Sequence, residues 1–163
     1  MTVLPSDSAR WALLRAIQIE IHNGALYDSL AEVLEGYENS VTQVFREMAD
    51  EERKHSTELK AHFRAKFGPV PLLTREPKEV IEAAELYDAE AIIFDSMTPE
   101  QALQTGLRAE EDARDFYCKE VLRTSDPELQ QAYRELAEFE EGHVRVLQEK
   151  LREKRRVASS ASR

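Results

Sequence analysis

Residues 138–147 read EFEEGHVRVL and place Glu140 three positions before His143 in a charged amphipathic stretch. Residues 48–59 read MADEERKHSTEL and place Glu52 three positions before His55. Side chains three apart share a helix face, so each pair presents one carboxylate and one imidazole in the same direction. With 24 glutamates and 4 histidines in 163 residues, chance predicts roughly 0.6 occurrences of this spacing. One pair would carry little meaning; two in matching settings ask for a common cause.

The surrounding sequence supplies the matching settings. Upstream of the first pair, AIQIEIHNGALYDSLAE (16–32) carries Glu20 with Tyr27 seven residues later, and upstream of the second, TGLRAEEDARDFYCKEV (105–121) carries Glu110 with Tyr117 at the same interval. Each half therefore reads as a helix with a lone glutamate, a turn, and a helix with Glu-x-x-His, a weak internal repeat on the scale of a helical hairpin. If antiparallel hairpins bring Glu20 and Glu110 to one depth, six side chains converge: Glu20, Glu52, His55, Glu110, Glu140 and His143. Oxygen and nitrogen donors without thiolate suit iron or manganese, and the ligand count fits two metals better than one. Four carboxylates and two divalent ions cancel in charge, whereas four unpaired buried carboxylates would be prohibitively costly or would take up protons.

Apolar periodicity and cap signals organise the same residues into an all-α fold. The expected helices run over about 8–35, 39–67, 99–123 and 127–154. Ser6, Asp7 and Ser8 offer caps for the first, Asn39 or Ser40 for the second, and Gly68-Pro69 ends the second. Thr98-Pro99-Glu100-Gln101 combines a cap, a first-position proline and a capping-box glutamine, and Ser125-Asp126-Pro127-Glu128 repeats the device. Two helix pairs with short internal loops and one long crossover, 68–98, describe a four-helix bundle forming a single domain over 1–163, with a basic polar tail at 155–163. VIEAAELYDAEAIIF inside the crossover has the pattern of an extra short helix.

Composition narrows the function. A net charge of −10 argues against nucleic-acid binding, since phosphate neutralisation needs a clustered basic surface. Lone Cys118 cannot form an internal disulfide or a several-thiolate metal site, and a small buried residue is its expected role. No apolar stretch approaches the roughly 20 residues of a membrane span, and MTVLPSDSAR has no secretory pattern, so a cytoplasmic location is expected. His22 lies some 200° around its helix from Glu20 and belongs to the surface or an interface, while His62 is expected to pack or cap. Tyr27 and Tyr117 suit either hydrogen-bond donors beside the metals or core aromatics with satisfied hydroxyls. Gly142, inside the last helix, makes room for a neighbouring helix or a moving ligand, or is merely a loose point.

The pattern Glu20, Glu52-x-x-His55, Glu110, Glu140-x-x-His143 resembles the ferritin-like superfamily, with a glutamate from each of two helices and Glu-x-x-His from each of the others. Over about residues 8–154, AIQIEIHNGALYDSLAE and AEEDARDFYCKEVL resemble rubrerythrin-type di-iron domains. That resemblance implies Glu20 and Glu110 as terminal ligands, Glu52 and Glu140 as bridges, and His55 and His143 as one nitrogen ligand per iron. It implies an oxidoreductase acting on peroxide or dioxygen. Rubrerythrins usually append a four-cysteine rubredoxin-like domain, which these residues cannot build, so an external electron-donor protein is expected. Their additional glutamate one turn after the third-helix ligand corresponds to Ala113.

DEERKH and EEGHVRVLQEKL also resemble bacterioferritin, which implies a ferroxidase or iron-storage alternative. Its haem-binding methionine would fall at Arg53, and its apolar fifth helix is replaced by KRRVASSASR, so no haem is expected. A third class is a non-catalytic helical interaction module that keeps zinc or iron for stability. A homodimer or larger homo-oligomer, and no membrane partner, complete the expectations.

Overall fold

The computed structural model describes residues 5–72 and 97–161, and in these every element is helical. The helices are α1 (Pro5–Leu34), α2 (Asn39–Phe67), α3 (Pro99–Arg123) and α4 (Pro127–Ala161). α1 packs chiefly on α2 and α3 on α4, with fewer contacts joining the two hairpins. The long crossover connects α2 to α3; the short helix expected within it falls in 73–96, outside the described residues.

The ends of the helices show why the chain breaks where it does. α3 opens with the expected capping box: Thr98 Oγ1 accepts from the Gln101 amide at 3.2 Å, and the Thr98 amide donates to Gln101 Oε1 at 2.8 Å. At α4, Asp126 Oδ1 accepts from the amides of Glu128 and Leu129 at 3.0 and 3.2 Å. α2 departs from expectation, because Glu38 takes the cap position with no side-chain capping bond, and Asn39 and Ser40 are already helical. Gly68 closes α2 at φ 83°, a left-handed value in which a Cβ would be strained.

α1 begins three residues earlier than the cap signals suggested, and α4 continues seven residues past 154, so most of the polar tail is helix. Nothing between 154 and 161 breaks a helix, and outward ion pairs support the end: Lys154 meets Glu38, and Arg155 Nε lies 3.4 Å from Glu100. At the opposite end, Lys66 Nζ joins Asp126 and Glu128 at 2.8 Å each, tying the close of α2 to the start of α4.

Two apolar clusters fill the bundle. One gathers Leu26, Leu30, Leu34, Phe45, Leu103 and Leu147 toward the α1–α2 loop. The other gathers Leu13, Ile17, Leu59, Phe63, Leu129 and Leu136 toward the α3–α4 loop. Burying each such side chain contributes about 2 kcal/mol. On every helix the stretch between the clusters is polar and inward: Glu20 on α1, Glu52 and His55 on α2, Glu110 on α3, and Glu140 and His143 on α4.

The glycines separate packing from permissiveness. A Cβ on Gly106 would meet the Phe45 ring at 3.0 Å and Leu147 at 3.4 Å, so α3 needs a bare backbone there. A Cβ on Gly142 would meet nothing within 4 Å among the described residues, so this glycine makes no room for a neighbouring helix. Gly142→Ala is therefore expected to stabilise the metal-free chain by about 1 kcal/mol through helix propensity. Gly106→Leu should destabilise it by about 2 kcal/mol through overpacking. Urea unfolding followed by circular dichroism reads both.

Candidate metal centre

Each inward polar side chain is placed by its helix, and all six meet. Glu20, Glu52, Glu110 and Glu140 are fully buried, and His55 and His143 are 6% and 7% exposed. Glu20, Glu52, His55 and Glu140 bring one ligand atom each within 4.8 Å of one another, and so do Glu52, Glu110, Glu140 and His143. Glu52 and Glu140 belong to both groups, as two carboxylates lying between two cation positions would.

Both histidines turn Nδ1 toward the carboxylates. His55 Nδ1 lies 3.1 Å from Glu20 and 3.6 Å from Glu52. His143 Nδ1 lies 3.2 Å from Glu110, 3.3 Å from Glu140 and 3.5 Å from Glu52. Among the described residues no lysine or arginine forms an ion pair with any of the four glutamates. Both oxygens of Glu52 and Oε1 of Glu140 are buried without a hydrogen-bond partner among them. Buried carboxylate oxygens are expensive to leave bare. Two divalent cations shared by these groups would satisfy the orphaned oxygens and cancel the charge, so the residues fit a dinuclear centre.

The tyrosines resolve into donors that cross the repeat. Tyr27 and Tyr117 are fully buried. Tyr27 donates its hydroxyl to Glu110 and Tyr117 donates to Glu20, so each tyrosine serves the glutamate of the opposite half. The crossed pairs set α1 and α3 antiparallel at this level. Burial raises both hydroxyls well above their ordinary value, with the facing carboxylate adding to the effect, so both remain protonated donors.

Burial acts on the carboxylates as well. Burial, then the neighbouring Glu20 and Glu110, pushes Glu52 well above the usual carboxylate range. Burial, then Glu110, does the same to Glu140. Glu110 is also opposed by burial, but facing Glu140, His143 and Tyr27 hold it below its ordinary value. Burial disfavours the charged form of His143, yet contacts with Glu110 and Glu51 raise it to about 9.

The remaining candidates scatter. His22 is partly buried. His62, expected to pack or cap, is partly exposed and places Nδ1 3.1 Å from Glu128 in the first turn of α4. Cys118 is exposed, not buried as expected: Tyr117 takes the inward position, and the next residue turns about 100° away. Two neighbours of the cluster escaped the sequence reading. Glu51 places Oε2 2.5 Å from His143 Nε2, and Phe139 rests its ring 4.9 Å from that of His55. Adjacency to the Glu-x-x-His pairs was their only signal.

Residues 12–151 match the family model described as rubrerythrin. The chain belongs to the rubrerythrin family. No curated protein matches it. Among solved structures, an uncharacterized conserved protein from Magnetospirillum magnetotacticum MS-1 is similar at 26% identity and a TM-score of 0.67, covering 87% of this chain and 92% of that one. A hypothetical protein from Pyrococcus furiosus, at 22% identity and a TM-score of 0.65 over 88% of this chain and 87% of that one, shares the fold. Among the described residues of this rubrerythrin-family chain, no helix is long and apolar enough to cross a membrane.

The buried groups make stability depend on pH and metal. Glu52 and Glu140 are raised above 4.5 and His143 above 6.5, so over this range the folded chain binds more protons than the unfolded one. Stability of the metal-free protein is therefore expected to fall as pH rises from about 5 to 9, with urea midpoints reading the decline. Added divalent metal should restore it most at the high end. Glu52→Gln removes one buried carboxylate: at pH 8 its metal-free form should be more stable than the parent by on the order of 1 kcal/mol, while bound metal per chain drops.

Proposed function

We propose that this chain is a di-iron carboxylate oxidoreductase that reduces peroxide or dioxygen with electrons from a separate donor protein. The observation that carries this reading is the sharing of Glu52 and Glu140 between two buried Glu/His clusters, with oxygens that find no hydrogen-bond partner among the described residues. Glu20 with His55 would hold one iron and Glu110 with His143 the other, and Glu52 and Glu140 would bridge them. When bound, two adjacent irons supply one electron each to an O–O bond.

The protein's own groups prepare the site for that chemistry. Tyr117 and Tyr27 fix the orientation of Glu20 and Glu110 through their hydroxyls, and each holds a proton beside the terminal carboxylate it serves. The two apolar clusters exclude water above and below, which strengthens every electrostatic contact inside. Ala113, buried one turn after Glu110, offers no further carboxylate on α3, so the coordinating set stays at four glutamates and two histidines.

The test is anaerobic loading with ferrous iron, then peroxide with a chemical reductant in excess. Repeated peroxide consumption beyond the iron present is the expected result. Tyr27→Phe and Tyr117→Phe should retain iron and turn over about tenfold more slowly, and His143→Ala should lose iron and activity together. One round of iron oxidation followed by accumulation of ferric mineral would instead favour the ferroxidase reading. Metal retained without any turnover would leave a metal-stabilised module.

A further inference from the structure

The two histidines of the cluster have unequal surroundings. The residue immediately before each Glu-x-x-His pair reaches across from its own helix to the histidine of the other pair. From α2, Glu51 meets His143 at Nε2, the ring nitrogen opposite the one facing Glu110 and Glu140. From α4, Phe139 sets its ring against His55, tilted by 51°. The repeat therefore places a carboxylate acceptor on one imidazole and a hydrocarbon ring on the other at corresponding positions.

A carboxylate on the outer nitrogen of a metal-binding imidazole fixes the ring's orientation. It keeps the proton on that nitrogen and leaves the inner one free to donate its lone pair to a cation. Phe139 has no acceptor and cannot do this for His55. A surface groove lined by Glu51, Glu135, Glu138, Phe139, Gly142 and Val146 reaches His143, and bare Gly142 leaves its floor open. Glu51 stands at this groove, 46% exposed, with its carboxylate on the buried ring.

We propose that the two metal positions are inequivalent, with Glu51 acting as the positioning residue for His143. The position formed by Glu52, Glu110, Glu140 and His143 takes up the first divalent cation and holds it more tightly than the position formed by Glu20, Glu52, His55 and Glu140. This rests on the dinuclear reading above.

Anaerobic titration of the metal-free full chain with Co2+, by calorimetry and by the visible absorption of the bound ion, tests it. Two steps of unequal affinity are expected in the parent protein. Glu51→Gln should weaken the tighter step by about tenfold or more and leave the weaker step in place. Phe139→Glu supplies the missing acceptor and should tighten the weaker step. Crystals grown with one equivalent of Co2+ should show the ion beside His143. Two equal steps, an ion beside His55, or a Glu51→Gln effect spread over both steps would overturn the inequivalence while leaving a dinuclear centre standing. No bound Co2+ at all would overturn the dinuclear reading and this inference with it.

Discussion

Four carboxylates buried at one level of a helical bundle are the constraint around which this molecule is arranged. A buried carboxylate survives only by taking a proton, finding donors or facing a cation. Here the first two are used as far as the helices allow. Glu52 and Glu140 are pushed toward the protonated form, and Glu20 and Glu110 receive tyrosine hydroxyls. What is left over is the set of oxygens lying between the two groups, and those are the atoms two cations would share. The apolar layers on either side are then a requirement of the site: without their summed burial, the polar slab would open to water.

The crossed tyrosines show how the repeat works as one unit. A donor within the same hairpin would let each half settle by itself. Because Tyr27 serves Glu110 and Tyr117 serves Glu20, neither of these glutamates is oriented until α1 and α3 are in register. Both apolar clusters already join the two hairpins, and these two hydrogen bonds with the shared carboxylates add a polar link between halves at the level of the site. Metal binding and docking of the hairpins are consequently coupled: whatever orders the cluster also fixes the crossing of the bundle.

The elements that could be read in advance are those set by local chemistry. Helical periodicity and the Thr98 and Asp126 caps placed α3 and α4 at their starts, and the Glu-x-x-His spacing identified the side chains that the bundle brings together. What escaped depends on partners distant in sequence. The match of Glu20 to Tyr27 within one half concealed that the hydroxyl goes to Glu110, 83 residues away. Glu51 looked like one more surface glutamate in DEERKH, and nothing local separates it from its neighbours until α4 brings His143 alongside. The end of α4 lies beyond the expected one for a different reason. Charge and low apolar content read as a tail, yet a helix of Arg, Lys, Glu and Ala needs no apolar face once its root is packed at Leu147 and Leu151.

A repeat that duplicates a set of buried Glu and His side chains does not have to duplicate its environment, and the difference falls on the residues around them. The inner atoms are under a tight geometric demand, since each of the six side chains lies within ligand distance of the others of its group at one buried level. The positions just outside them are free of that demand: Glu51 and Phe139 occupy equivalent places with opposite chemistry, both compatible with the same fold. Asn23 and Ala113 differ in the same manner, one turn beyond Glu20 and Glu110 respectively and each buried, one with an amide and one with a methyl. Symmetry is thus enforced by electrostatics at the centre and relaxed where only packing must be satisfied. The proposed difference in affinity between two metal positions would therefore arise from this outer shell and not from the six inner side chains.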